Sequence, residues 1–301
     1  MKNLLICIMS VLVLGSAIGC IPKRDVKVKS VADCERDVNP TTRAKCLIDL
    51  GVAKYKAGAQ VMAMDMLSRA SVACDEITDP SEKAQLLTEL ANGYSKIQDQ
   101  FGSKNTLKKA RLATEKLAEP ETKAAELVKL ANVQVNAGDM AGAAQTADSA
   151  VSQIQDDFLP DNKATILITA AEIYSKEGST ERRDELYAQL AAVADGLTDN
   201  QQKAAELYGK IAVSQTNLEL KDEGKKNFDK AVSIADATED LDQKGFAYFI
   251  LAQMQWSLKD KDSAQALAKK AEDVVPKLSK KSSDRGAELD NQVTALKKEM
   301  E

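Results

Sequence analysis

The 301-residue chain contains no histidine. This excludes imidazole acid–base chemistry, Ser-His and Cys-His nucleophile activation, and histidine-ligated metal sites. Aromatic residues make up only 4% of the chain, too few for an ordinary sheet-rich core. Six prolines and fourteen glycines in this length leave long stretches free of helix breakers. Cations are not gathered into a stripe, and the net charge is −5, so nucleic acid is not an expected partner. What is plentiful is Ala, Leu, Lys, Glu, Asp and Gln, the composition of an all-α protein whose helices pack through small residues.

The chain repeats itself. Pro40, Pro80, Pro120 and Pro160 stand 40 residues apart, followed at fixed offsets by Arg43, Lys83, Lys123 and Lys163 and by Ala44, Ala84, Ala124 and Ala164. Asn200, Lys203 and Ala204 continue the series without the proline. Asp79-Pro80-Ser81-Glu82 reads as an N-cap, a proline in the first helical position and an acid in the first turn, which together satisfy the free amides of a helix start. Large-small pairs recur inside the first helix of each unit, among them Leu50-Gly51, Leu90-Ala91, Ile211-Ala212 and Leu251-Ala252. Ala70, Ala110, Ala150, Leu190, Ala231 and Ala271 form a column in the second, with one residue inserted near the start of the fifth unit. Gly58, Gly138 and Gly178 fall between the helices, where a left-handed residue ends a helix. Each unit is therefore expected to be a helical hairpin.

Leu50-Gly51-Val52-Ala53-Lys54-Tyr55-Lys56-Ala57-Gly58, with Ala63, Leu67 and Ala70 after it and Tyr94 and Tyr174 at later tyrosine positions, resembles the tetratricopeptide repeat. The resemblance runs from residue 40 to about 275, with a period of 40 in place of the family's 34, no first-helix Trp, and Arg183 where Ala is usual. It implies an α-solenoid of about six helix-turn-helix repeats, over 40-79, 80-119, 120-159, 160-199, 200-240 and 241-279. One hairpin cannot bury its own apolar face, so such units must stack and be capped. Leu289, Val293, Leu296 and Met300 suit a C-terminal capping helix over 280-301, with a dimerising coiled coil as the alternative.

Residues 1-19 begin with Lys2, continue as an apolar run from Leu4 to Leu14, and end in the small residues Gly15, Ser16, Ala17 and Gly19 before Cys20. The run is short for a transmembrane helix and matches a secretory leader. Ala17-Ile18-Gly19-Cys20 resembles a relaxed bacterial lipobox, which implies lipidation of Cys20, export and an envelope location, at the outer membrane facing the periplasm in a diderm cell. The same small residues also fit an ordinary signal peptidase site. Residues 20-39 would then be a lipid-anchored tether and N-terminal cap.

In an oxidising compartment Cys34, Cys46 and Cys74 are available for pairing. Cys46, early in one helix, and Cys74, late in its antiparallel partner, form the first-choice disulfide; Cys34 with either is the competing connectivity. No CxxC or converging acid accompanies them, so no metal or catalytic role is expected.

The resemblance also implies a concave groove lined by the first helices. The corresponding peptide-binding positions are Tyr55, Lys56, Asn92, Lys96, Asn132, Asn136, Lys176, Asn217, Phe249 and Trp256. Amides there suit the backbone of an extended peptide, and lysines its acidic groups. Phe246, Phe249 and Trp256 lie on one helical stripe, either sealed by the C-terminal helix or anchoring a partner. The expectation is a non-enzymatic envelope lipoprotein that serves as a protein-protein interaction scaffold, held to the membrane by its N-terminal lipid, with envelope proteins or peptides as partners and no cofactor. Self-association into a structural element is the alternative, and a carboxylate-dependent glycan hydrolase a remote one.

Overall fold

The computed structural model describes residues 30–301. The leader, Cys20 and most of the tether lie outside the described residues. Among the described residues there are fourteen helices and no strand. A short α1 (Val31–Glu35) precedes six hairpins: α2 (Pro40–Lys56) with α3 (Gln60–Glu76), α4 (Pro80–Lys96) with α5 (Gln100–Thr114), α6 (Pro120–Asn136) with α7 (Met140–Val151), α8 (Pro160–Glu177) with α9 (Thr180–Asp195), α10 (Gln201–Asn217) with α11 (Lys221–Ala237), and α12 (Leu241–Ser257) with α13 (Lys261–Lys281). Last comes α14 (Ser283–Met300). The first helices α2, α4, α6, α8, α10 and α12 pack in succession along one side. Each second helix packs on its own partner and on the first helix that follows it. This is a tetratricopeptide-like solenoid. None of the described helices is long and apolar enough to cross a membrane.

Local chemistry sets the helix starts. Proline opens α2, α4, α6 and α8, where its missing N–H costs nothing. Asn39 accepts from the Thr41 and Thr42 amides, Asp79 from Glu82, Asn200 from Lys203 and Asp240 from Gln243. Glu119 and Leu159 make no side-chain cap, so α6 and α8 rely on proline alone at that position.

All six hairpin turns place one left-handed residue in the same column. Three are Gly58, Gly138 and Gly178, with φ between 78° and 97°, and three are Gln98, Glu219 and Lys259, with φ between 63° and 66°. A side chain in that conformation costs roughly 1–2 kcal/mol, partly offset by the greater chain entropy that glycine loses on folding. Gln98→Gly is therefore expected to stabilise the protein by about 1 kcal/mol, read as a rise of roughly 2–4 °C in melting temperature; a fall would show that the Gln98 side chain makes a compensating contact.

Small residues bring the helices of a hairpin together. A Cβ at Gly51 would stand 2.9 Å from Leu67 Cδ2, and Leu90, Leu130, Ile211 and Leu251 are buried beside Ala91, Ala131, Ala212 and Ala252. The buried side chains form one large cluster from Cys34 to Val133 and another from Ala131 to Met300, which meet at α6.

Successive first helices are also tied near their starts by polar pairs about one repeat apart. Thr41 donates to Glu82 at 2.6 Å, Lys203 to Asp161 at 2.8 Å, the Gln202 amide to Gln243 at 3.3 Å, and Arg285 to Asp242 at 2.9 Å. Asn162 bonds Glu121 in the same way. The last tie places α14 where the first helix of a seventh unit would stand. There Leu289, Val293, Leu296 and Met300 are buried, Leu289 fills the space beside Gly245, and the Arg285 guanidinium lies 4.2 Å from the centre of the Phe246 ring. α14 is thus the cap, starting three residues later than the expected 280.

The preferred Cys46–Cys74 disulfide is overturned: Cys34 is bonded to Cys46, and Cys74 is a buried free thiol. Placing Cys46 and Cys74 at the same edge of the hairpin neglected the direction in which each faces. α1 packs on α2 and brings Cys34 to Cys46. Cys74 sits among Lys83, Glu89 and Lys109 of the second hairpin, and burial pushes its thiol up to about 12.

Candidate concave binding face

The first helices carry the expected groove residues, and the structure separates them into groups. Lys56, Asn92 and Lys96 line one open depression of about 420 Å³ between α2 and α4, together with Val52, Asp49 and Glu89. Lys45 reaches across at 2.9 Å to Glu89, and that hydrogen bond raises the lysine's pKa. Lys96 and Lys176 stand exposed in the last turns of α4 and α8, with Lys56 in the matching turn of α2. A helix C-terminus is a favourable place for a cation. Asn132 and Asn217 are exposed and Asn92 half-buried.

Three expected residues stand differently. Phe249 is buried at 8% exposure, so it is core and not groove. Trp256 is half-buried against the same cluster, and Tyr55 packs partly into the N-terminal cluster. The stripe of the sixth hairpin is thus largely committed to packing, with α14 covering Phe246. Asn136 holds the same last-turn position as Lys56, Lys96 and Lys176: its carbonyl accepts from Ser95 Oγ at 3.2 Å, and it lines a depression of about 440 Å³ with Gln98, Ser103 and Gly138.

Towards the C-terminal half the face is held by polar networks. Tyr187 OH and Ser214 Oγ are 2.7 Å apart, and Ser214 donates to Glu172 at 2.7 Å, linking α9, α10 and α8. Burial raises the Glu172 carboxyl above its ordinary range, against the opposing pull of the Ser214 bond and the Lys176 charge. Ser214 was the unread signal, a hydroxyl in a column otherwise occupied by Ala53, Gly93, Val133, Ile173 and Met254. Nearby, Lys203 and Lys210 both clasp Asp161 and Glu206. Burial alone would raise the Asp161 pKa, but the two lysine hydrogen bonds carry it lower. Among the described residues no group of three or more Cys, Asp or Glu is placed to hold a metal ion.

On the outer side, the seams between neighbouring second helices differ in how they are closed. Tyr94 lies in the α3/α5 seam with Met64 and Phe101. Tyr174 donates to Asp148 at 2.5 Å and sits under Arg182, joining α7 and α9. Gln134 occupies that column in the third hairpin. The α5/α7 seam there stays open, as a depression of about 590 Å³ bordered by Lys104, Lys108, Arg111 and Gln145. Gln134 Oε1 has no hydrogen-bond partner there.

What the exposed side of the first helices offers chemically is a row of amide and ammonium groups at hairpin spacing. Adjacent first helices stand about 8–10 Å apart, close to the length of three residues of extended chain at about 3.3 Å each. An extended polypeptide laid across the helices would meet a new set of side chains every third residue.

No protein-family model and no curated protein matches the chain. Among solved structures, the TPR-like repeats of a kinesin light chain from Podosopora anserina are similar at 15% identity, covering 68% of this chain and 100% of that chain at a TM-score of 0.46. BtubC from P. vanneervenii is similar at 17% identity, covering 78% of this chain and 92% of that chain at a TM-score of 0.41. A Rap protein complexed with Competence and Sporulation Factor is similar at 15% identity, covering 90% of this chain and 79% of that chain at a TM-score of 0.39. The tetratricopeptide-like fold rests on the helix packing itself.

Proposed function

We propose that the protein is a lipid-anchored envelope scaffold whose concave face holds extended segments of other proteins that carry acidic side chains. The carrying observation is the set of exposed cations Lys56, Lys96 and Lys176, which stand in the last turn of the first, second and fourth of the first helices and have no ion pair or hydrogen bond among the described residues, although the Lys176 charge acts on Glu172. Asn92 and Asn132 lie one turn earlier in the same register and are likewise without internal hydrogen bonds. Exposed ammonium groups suit carboxylates, and exposed amides suit a peptide backbone. The anchor reading is supported by the sequence around Cys20 alone.

Crosslinking in native membranes followed by capture tests the scaffold. The wild-type chain is expected to retain a defined set of envelope proteins. A variant carrying Lys96→Ala, Asn132→Ala and Lys176→Ala should lose them at an unchanged melting temperature. Equal capture by both chains would remove the concave face as the binding site. Palmitate labelling that is present in the wild type and absent after Cys20→Ala tests the anchor separately.

A further inference from the structure

The outer surface of the solenoid changes chemistry along its length while its geometry stays the same. The second residue of each second helix is exposed in all six hairpins, and reads Val61, Phe101, Ala141, Glu181, Asp222 and Asp262. The residue eleven places further on is likewise exposed throughout, and reads Val72, Leu112, Ser152, Ala192, Ser233 and Asp273. Both columns are apolar in the first two hairpins and polar or acidic at the far end. Val61 and Phe101 are 83% and 79% exposed, and Met62, Met64, Val72 and Leu112 add to the same face. Single exposed apolar side chains are ordinary, but a run of them confined to one end of a repeat array marks a contact surface.

The charge on this face is cationic although the whole chain is acidic. α5 carries Lys104, Lys108, Lys109 and Arg111 and no acid. The acids of α3 are already paired, Asp65 with Arg69, Asp75 with Lys109 and Glu76 with Arg43. Lys104 and Lys108 make no ion pair or hydrogen bond among the described residues. The face lies next to the start of the described chain, because Arg69 of α3 is paired with Glu35 of α1. From Cys20 to Ser30 the chain spans about 34 Å at most, whereas a seventeen-residue helix such as α3 is about 25 Å long.

We infer that the outer face of α3 and α5 is a lipid-contacting surface, on which Val61, Phe101 and Leu112 enter an anionic bilayer and Lys104 and Lys108 meet its headgroups. Protruding apolar side chains flanked by lysines are what a surface needs to rest in a membrane interface. A second protein could use apolar side chains equally well, but the unpaired cations and the nearness of the tether favour the bilayer. The inference rests on the anchor proposed above for its placement, although the face itself has its own chemistry.

The test uses the full chain, purified from membranes and reconstituted in phosphatidylcholine vesicles containing phosphatidylglycerol and a brominated lipid. Fluorescence is read as the difference from the parent protein, whose Trp256 is common to all variants. Phe101→Trp is expected to be quenched and blue-shifted, whereas Glu181→Trp, at the matching position of the fourth hairpin, stays unquenched. Adding Lys104→Glu and Lys108→Glu should cut the Phe101→Trp quenching by roughly half or more on anionic vesicles. Equal or absent quenching at the two positions, in protein whose mass shows an acylated Cys20, overturns the lipid-contacting face. If Cys20 carries no acyl group the anchor fails, and the same variants are added to preformed vesicles. Quenching of Phe101→Trp alone then sustains the face, and none overturns it. A fall in oligomer mass by light scattering on Phe101→Ser would assign the surface to a second copy, and also overturns it.

Discussion

Ending the chain after Ser282 is expected to unfold the sixth hairpin and to make the remainder self-associate. α14 contributes Leu289, Val293, Leu296 and Met300 to the core, and burying side chains of this size stabilises by roughly 1.5–3 kcal/mol each. Its removal also bares Gly245, Phe246 and Val274, against which Leu289 and Arg285 pack. In a stacked array each unit is held only by its neighbours, so the damage falls first on α12 and α13. The loss should be several kcal/mol, which at this size lowers the melting temperature by on the order of 10 °C. Light scattering of the truncated protein should show particles larger than the intact chain. Leu289→Ala gives a graded version, with an expected loss of about 2–5 kcal/mol at a fully buried position. A truncated chain that melts where the intact one does, and stays the same size in solution, would end the capping assignment.

Strong alkali should unfold this protein well before it unfolds a chain with exposed tyrosines. Burial, as the main cause, pushes Tyr94, Tyr174, Tyr187 and Tyr208 up to about 12. Hydrogen bonds given to Asp148 by Tyr174 and to Asp195 by Tyr208 push in the same direction, and Tyr248 is raised likewise by burial and its bond to Asp236. In the unfolded chain a tyrosine loses its proton near pH 10. Between about pH 10 and 12 the unfolded state has therefore shed protons that the folded state still holds, and stability falls as pH rises. Urea midpoints should hold steady from about pH 7 to 8, begin to fall at about pH 8.5 as the unfolded chain's Cys74 thiol ionises while the folded one, pushed up to about 12, does not, and drop steeply above about pH 10. Tyr174→Phe should flatten part of that drop, while losing about 1 kcal/mol at neutral pH with the Asp148 hydrogen bond. A midpoint that stays level through pH 11 would mean that the tyrosines ionise freely in the folded state.

Much of this architecture is legible in the sequence because it is written in columns. The prolines and capping residues mark where first helices begin, and the small residues beside Leu50, Leu90, Ile211 and Leu251 mark where helices approach. Gly58, Gly138 and Gly178 mark the turns. What does not repeat is harder to read. α1 has no counterpart elsewhere in the chain, so only its packing on α2 shows which cysteine faces Cys46. Phe249 sits in a groove column by register, yet it is buried, as are Ile48, Thr88 and Val128 at the same position of the first three hairpins, so that column belongs to the packing between first helices and not to an open face. The switch from Val61 and Phe101 to Asp222 and Asp262 was present in the sequence all along, but it has meaning only once the structure shows that these positions are equally exposed.

Gln134 also has a mechanical consequence. A stack of helices resists bending through its close-packed seams, and this stack is not uniform: Tyr174 braces the α7/α9 seam through Asp148, while the α3/α5 and α5/α7 seams are open depressions of about 430 and 590 Å³. Opening a seam that is already parted breaks few apolar contacts, so the larger of the two depressions, at α5/α7, is the cheaper place to change curvature. The first two hairpins should swing against the other four as one leaf of a hinge, with α6 as the pin. Lys96 and Lys176 lie on opposite leaves, so a segment held by both would shorten or lengthen with each swing and would feel the solenoid as a spring.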